Sequence, residues 1–414
     1  MKTPELLVAK RERIIVPSLA WEPAKAEDDA LLRFLGFMPG IRGGARGFNQ
    51  AGDVVTQTID GRSLNELWAA YQEALALYNA QRDRLLGILV FPVTQVVEDV
   101  FQGGDTVDFE VASEFGVPRG IRAVPPTYYS LGYSFQWYDI GIRFTWMFLA
   151  ESTAQQVDSL NNQILEADNR NQFTQVFKQI FNNLTRTATI LGQNYNVFPI
   201  YNGDSTVPPR YKQTVHTAPH THFLASGGAS LVSGDLDDKY THLAHHGYSW
   251  QEGSALVLLV NSAEMAVIRG FTVAGGDSYD FIQAASIPPW AWTPEDVAAA
   301  AGRPGSAPPS SWNGLVVQGR YGPWLVVEDD LIPAGYLVGF ASGGSESAGN
   351  LVGIREHTNT SLRGLRLVKG QEPDYPLVDS YYQRGFGTGV RQRGAAVVTQ
   401  VTAGSYTIPT GYTW

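Results

Sequence analysis

The chain reads as an α+β protein. Two aromatic-dense extended segments, Phe109–Val124 and Tyr128–Phe148, run directly into a long amphipathic helix, and the apolar run Ala255–Val260 is followed at once by a second helical pattern. Tyr, Phe and Trp at that density favour strand, and the helical stretch carries apolar residues at the helical period. No catalytic signature interrupts these elements. A long arm on a long strut suits a protein whose work is to touch its neighbours.

Composition sets the bounds. At 414 residues the chain can hold two or three domains with ample core, and 44% hydrophobic and 12% aromatic content are those of an ordered protein. The net charge of −10 gives no support for wholesale wrapping by nucleic acid. It suits either ordinary solubility or the inside of a compartment packed with DNA, where a basic wall would trap the polymer. There is no cysteine, which excludes disulfides and thiolate metal sites. The N-terminal residues do not read as a signal peptide, and no stretch approaches the ~20 apolar residues of a membrane span.

Residues 1–62 are rich in Gly, Pro and Arg and have no core of their own. They either drape over something or stay disordered; Ile14, Trp21, Leu31, Phe34 and Phe37 argue for draping. A helix is expected from Ser63, where Ser63 and Glu66 make a capping box, through Leu86, with Gly87 as its exit. Ile88–Val100 reads as strand. In the ribbon that follows, joined around Pro125 and Pro126, the first arm is broken by Gly116, Pro118 and Gly120. The second alternates from Tyr133 to Tyr138, with Phe135 and Trp137 on one face. An isolated hairpin is marginal in water, so this one either packs on a partner chain or is two strands of a larger sheet.

Ser152 and Gln155 form a second capping box, opening a helix expected to reach Thr187, at ~1.5 Å rise per residue longer than a small domain is wide. Its apolar stripe falters at Asp168–Asn171, where it kinks or changes its buried face. Ser233 or Asp235 caps a short helix carrying Leu236, Tyr240 and Leu243, closed by Gly247. Ala255–Val260 is a buried strand, and Asn261 with Glu264 caps the helix after it. Gly314–Val317, Trp324–Val327, Tyr336–Phe340 and Ala395–Val401 read as further strands. The tail after Gly404 reads as peripheral.

The chemistry-bearing residues are few. The stretch Phe386–Gly394 is glycine-rich without phosphate-cradling spacing, so it reads as loop and strand edge. His216, His220, His222, His242, His245 and His246 cluster in sequence. His242 with His245 or His246 could share a helix face, with Asp237 or Asp238 as an oxygen ligand, and imidazole suits zinc, copper, iron or nickel. The spacing fits no standard metal pattern, so histidines without metal are the expectation, and no cofactor is expected. A metal-dependent enzyme built on this cluster is the alternative. In the ribbon, Arg119, Arg122 and Arg143 against Asp108, Glu110, Glu114 and Asp139 are candidates for interchain ion pairs, or else form a solvated face.

The order of elements resembles the major capsid proteins of tailed bacteriophages, the Hong Kong 97-type fold, and is most similar to those of actinobacterial phages. FEVASEFGVPRGIRAVPPTYYSLGYSFQWYDIGIRFTW stands as the extended loop and ESTAQQVDSLNNQILEADNRNQFTQVFKQIF as the spine helix. ALVLLVNSAEMAVIRGF stands as the opening of the axial domain and DSYYQRGFGTGVRQRGAAVVTQV as the return into the peripheral domain. The resemblance implies an N-terminal arm (1–62), a helix and strand (63–104), an extended loop (105–150), spine helix and peripheral domain (151–253), axial domain (254–379) and return strand with tail (380–414). It implies a subunit that forms hexamers and pentamers in an icosahedral shell around double-stranded DNA. Scaffold, portal and decoration proteins would be its partners, and no membrane would be involved. Phe115, Arg119, Arg122, Tyr128, Tyr129, Phe135, Trp137, Arg143, Glu151 and Asp158 are the intersubunit contacts it suggests. An encapsulin-type compartment with protein cargo shares the fold. Some members crosslink through a lysine on the extended loop; Asp105–Phe148 contains none, so such a crosslink is not expected here. Nor do residues 1–62 resemble a long charged scaffolding segment, which points to a separate scaffold.

Overall fold

Helix α1 (Leu64–Ala80) starts where the Asn65 N–H donates to Ser63 Oγ at 3.3 Å, and it buries Leu64, Leu67, Tyr71 and Leu75. The structure is a computed structural model; it describes residues 56–414 apart from 81–82, 102–108, 110, 113, 118–127, 191, 285–307, 371–376 and 378. The expected run to Leu86 is two helices. Asp83 caps α2 (Arg84–Leu89) afresh, accepting from the Leu85 and Leu86 N–H groups at 2.8 and 3.4 Å. The single strand expected to follow is likewise two, β1 (Val90–Val93) and β2 (Val97–Phe101), which enter different sheets.

The ribbon is paired differently from expectation. Strand β3 (Tyr128–Gly132) runs antiparallel to β2, with Val97 opposite Gly132 and Phe101 opposite Tyr128. The hairpin base is therefore 97–101 with 128–132, and most of Phe109–Val124, the first expected arm, lies outside the described residues. Strand β4 (Gln136–Gly141) instead pairs with β17 (Tyr381–Val390), Gln136 opposite Phe386 and Gly141 opposite Tyr381. Between β3 and β4 the chain dives inward: Tyr133 is fully buried and its hydroxyl donates to Glu98 at 2.8 Å. It crosses a row of glycines on β17. A Cβ at Gly387 would lie 1.1 Å from the Ser134 carbonyl oxygen, one at Gly385 2.6 Å from Trp137, and one at Gly389 2.9 Å from Tyr133. Phe386–Val390, expected as loop and strand edge, is the interior of a strand whose bare face admits a crossing backbone.

Helix α3 (Trp146–Glu151) precedes the long helix α4 (Ala154–Phe181). At 28 residues α4 is about 42 Å long. Its capping box is Thr153 with Gln156, one residue later than expected, because the Ser152 carbonyl accepts from the Ile59 N–H at 3.0 Å. It ends at Phe181; Arg186–Ile190 is β5, paired with β6 (Gln193–Val197). The helix changes its buried partners where the stripe falters. Val157 and Ile164 pack with α1, Phe144, Leu149 and Tyr382, whereas Phe173, Val176, Phe177, Ile180 and Phe181 pack with Leu85–Val90, Val338 and Val398. At the junction, Asp168 forms an ion pair with Arg384 at 2.8 Å and accepts from the Tyr78 hydroxyl at 2.8 Å.

Beyond β7 (Phe223–Ala225), α5 (Ser233–His245) begins with Asp235 accepting from the Val232 N–H at 2.9 Å, and Gly247 closes it at φ +86°. Strand β8 (Ala255–Val260) is wholly buried. In α6 (Ser262–Arg269), Asn261 caps the helix, but Glu264 reaches across to the Gly335 N–H at 2.8 Å instead of capping. There follow β9 (Phe281–Gln283), β10 (Ser311–Trp312), β11 (Leu315–Val316), β12 (Gly319–Tyr321), β13 (Trp324–Glu328), β14 (Tyr336–Ser342), β15 (Val352–Arg355), β16 (Arg366–Val368), β17 and β18 (Ala396–Gln400).

The seven-stranded sheet has the order β7-β18-β14-β8-β13-β12-β9. Central β8 sends Val257 and Leu259 into one core and Leu256, Leu258 and Val260 into another, as the period of two requires. A second sheet runs β1-β15-β17-β16, with β4 also on β17, and a third is β2-β3-β6-β5. The sheets interleave the sequence blocks: β7 and β18 join the sheet of 255–342, while β15 and β16 join β1, β4 and β17. The tail is not peripheral. Tyr412 packs on Phe181 at 4.9 Å, the Tyr406 hydroxyl donates to the Phe181 carbonyl at 2.7 Å, and Trp414 lies under the Arg186 guanidinium at 3.7 Å. No helix among the described residues is long and apolar enough to cross a membrane.

Candidate functional site

The hairpin β2–β3 leads to residues that nothing among the described residues covers. Phe109, Val111, Phe115 and Val117 are each more than nine-tenths exposed, at 107, 95, 92 and 92%. Glu114 and Phe115 form a turn, and Glu114 is exposed with its apolar neighbours. Large apolar side chains left fully in water mark a surface awaiting a partner.

The other expected contact residues are distributed. Tyr128 is exposed at the hairpin base, and Arg143 and Glu151 are exposed beside α3. Trp137 is 43% exposed; it lies edge-on to Phe135 at 5.3 Å with the Arg366 guanidinium 5.3 Å from its ring. Phe135 is half-buried with the Arg355 guanidinium 5.0 Å above it. Two residues are committed within the subunit: Tyr129 packs edge-on to Phe198 at 4.8 Å, and Asp158 accepts from the Tyr71 hydroxyl at 2.8 Å. Arg119, Arg122, Asp108, Glu110 and most of residues 1–62 lie outside the described residues.

The histidines form a site of another kind. The Nε2 atoms of His220, His222 and His246 converge: 220–222 at 3.1 Å, 220–246 at 3.0 Å and 222–246 at 3.0 Å. His222 is fully buried at the mouth of β7, and His246 caps the C-terminus of α5. All three belong to the cluster of six read in the sequence, but the helix-face grouping of His242 with His245 or His246 and an aspartate is not the one that forms. His242 Nδ1 is engaged with the Asp238 carbonyl at 2.8 Å, His245 is exposed, and Asp237 accepts from Ser278 on the far side of the helix turn. Ring burial, then repulsion from neighbouring histidines, pushes His220 down to about 4 and His246 down to about 3, and His222 lies well below its ordinary value for the same reasons. All three rings are neutral at pH 7. Next to them the Arg393 guanidinium pairs with Asp204 at 2.7 Å and lies 4.7 Å from the Tyr201 ring. Burial alone would raise the Asp204 carboxyl, but Arg393 outweighs it and holds the group low.

A 28-residue helix, a hairpin that leads to exposed apolar residues and sheets that interleave distant stretches of sequence characterise the described residues. No family model and no curated protein matches the chain. Among solved structures, a chain from Mycobacterium phage Patience superposes with a TM-score of 0.67 at 43% identity, covering 91% of this chain and 98% of that one. The capsid of a native GTA particle gives 0.45 at 13% identity, covering 78% and 91%. The SrpI encapsulin from Synechococcus elongatus PCC 7942 gives 0.40 at 13%, covering 81% and 96%. The first of these decides the family. The chain belongs to the major capsid proteins of tailed bacteriophages, with the Hong Kong 97-type fold.

Proposed function

We propose that this capsid protein forms hexamers and pentamers that close into an icosahedral shell around double-stranded DNA. The exposed apolar residues Phe109, Val111, Phe115 and Val117 carry the reading: nothing among the described residues shelters them, and packing against a neighbour would take them out of water. The segment 254–379 supplies the axial domain at the capsomer centre, and residues 1–62 extend along a neighbour. Tyr128, Phe135, Trp137, Arg143 and Glu151 join the contact. Each contact is weak, and closed symmetry makes the sum strong. With no lysine in Asp105–Phe148, cohesion rests on apolar packing, ion pairs or a decoration protein. The net charge of −10 keeps the inner wall from trapping DNA. Assembly takes place in the host cytoplasm with a separate scaffold and a portal.

The test is the double variant Phe109→Ser/Phe115→Ser. Because both side chains are already in water, subunit stability should change by no more than about 0.5 kcal/mol. Sedimentation velocity should show closed particles lost and subunits or small rings in their place. Normal particles from this variant would remove these apolar residues from the contact.

A further inference from the structure

We infer that His220, His222 and His246 form a binding site for one zinc-class divalent transition-metal ion, a brace that ties the segment before β7 to the end of α5. The inference is independent of the shell reading.

The geometry carries it. The three Nε2 atoms form a nearly equilateral triangle of 3.0–3.1 Å sides. A metal ion about 2.0–2.1 Å from each nitrogen would sit about 1 Å off their plane, with N–metal–N angles of roughly 95°. That is one face of a four- to six-coordinate site, with the remaining positions open to water.

Hydrogen bonds alone do not account for the triangle. His222 Nδ1 lies 2.7 Å from the Ala396 carbonyl, which can only accept, so Nδ1 holds the proton and Nε2 of the neutral ring is a bare lone pair. His220 and His246 could each donate to that lone pair. Their own 3.0 Å contact would then set two N–H groups against each other. Every other neutral arrangement sets lone pairs against each other. A single cation satisfies all three nitrogens at once.

The surroundings hold the rings for this purpose. The Ala396 carbonyl fixes the tautomer and aim of His222, as outer partners of metal-bound histidines do. His246 is stacked by His216 at 4.7 Å and by Tyr201 at 5.3 Å. Gly394 lets the chain lie against it, since a Cβ there would stand 2.8 Å from His246 Cγ. His216 keeps a buried Nε2 with no hydrogen-bond partner beside the site. Three neutral imidazoles with no carboxylate or thiolate select Zn²⁺, Co²⁺, Ni²⁺ or Cu²⁺ over Mg²⁺ or Ca²⁺, which require oxygen ligands. His220 and His222 stand before β7, His246 ends α5, and His222 reaches β18 through Ala396, so the ion would clamp the edge of the seven-stranded sheet to a helix in a chain without disulfides.

The experiment uses the full-length chain, stripped with chelator and titrated with Co²⁺ and then Zn²⁺. Wild type should develop ligand-field absorption that saturates at one equivalent, and its melting temperature should rise by several degrees with Zn²⁺. His220→Ala and His246→Ala should weaken binding at least ~10-fold, the scale of lost ligand or support contacts. His245→Ala, outside the triangle, should bind like wild type. His220 is only half-buried, so its variant keeps the fold where His222→Ala fails, and circular dichroism confirms this. No saturable absorption in wild type, or equal binding by His220→Ala and His246→Ala, overturns the site.

Discussion

Asp168→Ala should destabilise the subunit more than any exposed substitution, because Asp168 is the polar hinge between the two halves of the long helix. Its side chain is 6% exposed and that of Arg384 12%. The pair is an ion contact at 2.8 Å, reinforced by the Tyr78 hydroxyl at 2.8 Å and the Gln172 amide at 3.0 Å. Removing the carboxylate strands a buried guanidinium, which costs about 3–5 kcal/mol in comparable sites. The lower end applies here, since Arg384 keeps Gln172 and Asn79 at 3.4 Å, and Tyr78 can still donate to the Leu165 carbonyl at 3.3 Å. The expected loss is therefore about 3 kcal/mol for Asp168→Ala, and about 1–2 kcal/mol for Asp168→Asn, which keeps an acceptor. Urea unfolding of disassembled subunits, at constant m-value, reads this as a midpoint shift. Asp168→Ala/Arg384→Met should recover about 2 kcal/mol relative to the sum of the single changes. A loss below about 1 kcal/mol, or strict additivity, would mean that the pair behaves as a solvated surface bridge and that the junction is held by packing alone.

Other outcomes follow from the same structure. Lys239 is fully buried with no hydrogen-bond partner for its Nζ, and burial pulls it from 10.5 down to about 7, against the opposing pull of Asp235 and Asp238. The unfolded chain then holds this proton more tightly, so the Lys239 contribution makes stability rise from pH 7 towards 10.5. Lys239→Met should stabilise the subunit by about 1–3 kcal/mol below pH 7, with the gain fading by pH 10; a gain that grows with pH would reverse the assignment. Trp137→Ala should cost the subunit only about 1–2 kcal/mol, since the ring is 43% exposed, and should lower particle melting more; equal losses would make it a core residue. Tyr406→Ala opens the space between Phe181, Phe223 and Tyr336 and should cost about 3 kcal/mol in subunit unfolding. A neutral result there would return the tail to the periphery.

The elements were legible wherever local pattern decides them. Ala255–Val260 declared itself by an unbroken apolar run, and the long helix by its period and by the polar break at Asp168. Pairing was not legible. The alternation read over Tyr133–Tyr138 announces a strand, but the strand that forms, Gln136–Gly141, finds its partner at 381–386, against the bare glycine face of β17. The sequence ESTAQQ contains two overlapping capping boxes, and the contact of Ser152 with Ile59 decides between them. The histidine triangle joins residues two apart to one further along the chain, on a loop and a helix end, so no spacing rule could find it. Its rings meet because β7, β18 and α5 pack together. Of the residues expected at subunit contacts, Tyr129 and Asp158 have partners within the subunit, which composition does not reveal.

Electron microscopy of the expressed chain at neutral pH should show closed shells or capsomer rings. A monodisperse monomer that persists at high concentration, and also when co-expressed with a scaffold protein, would contradict assembly into a shell.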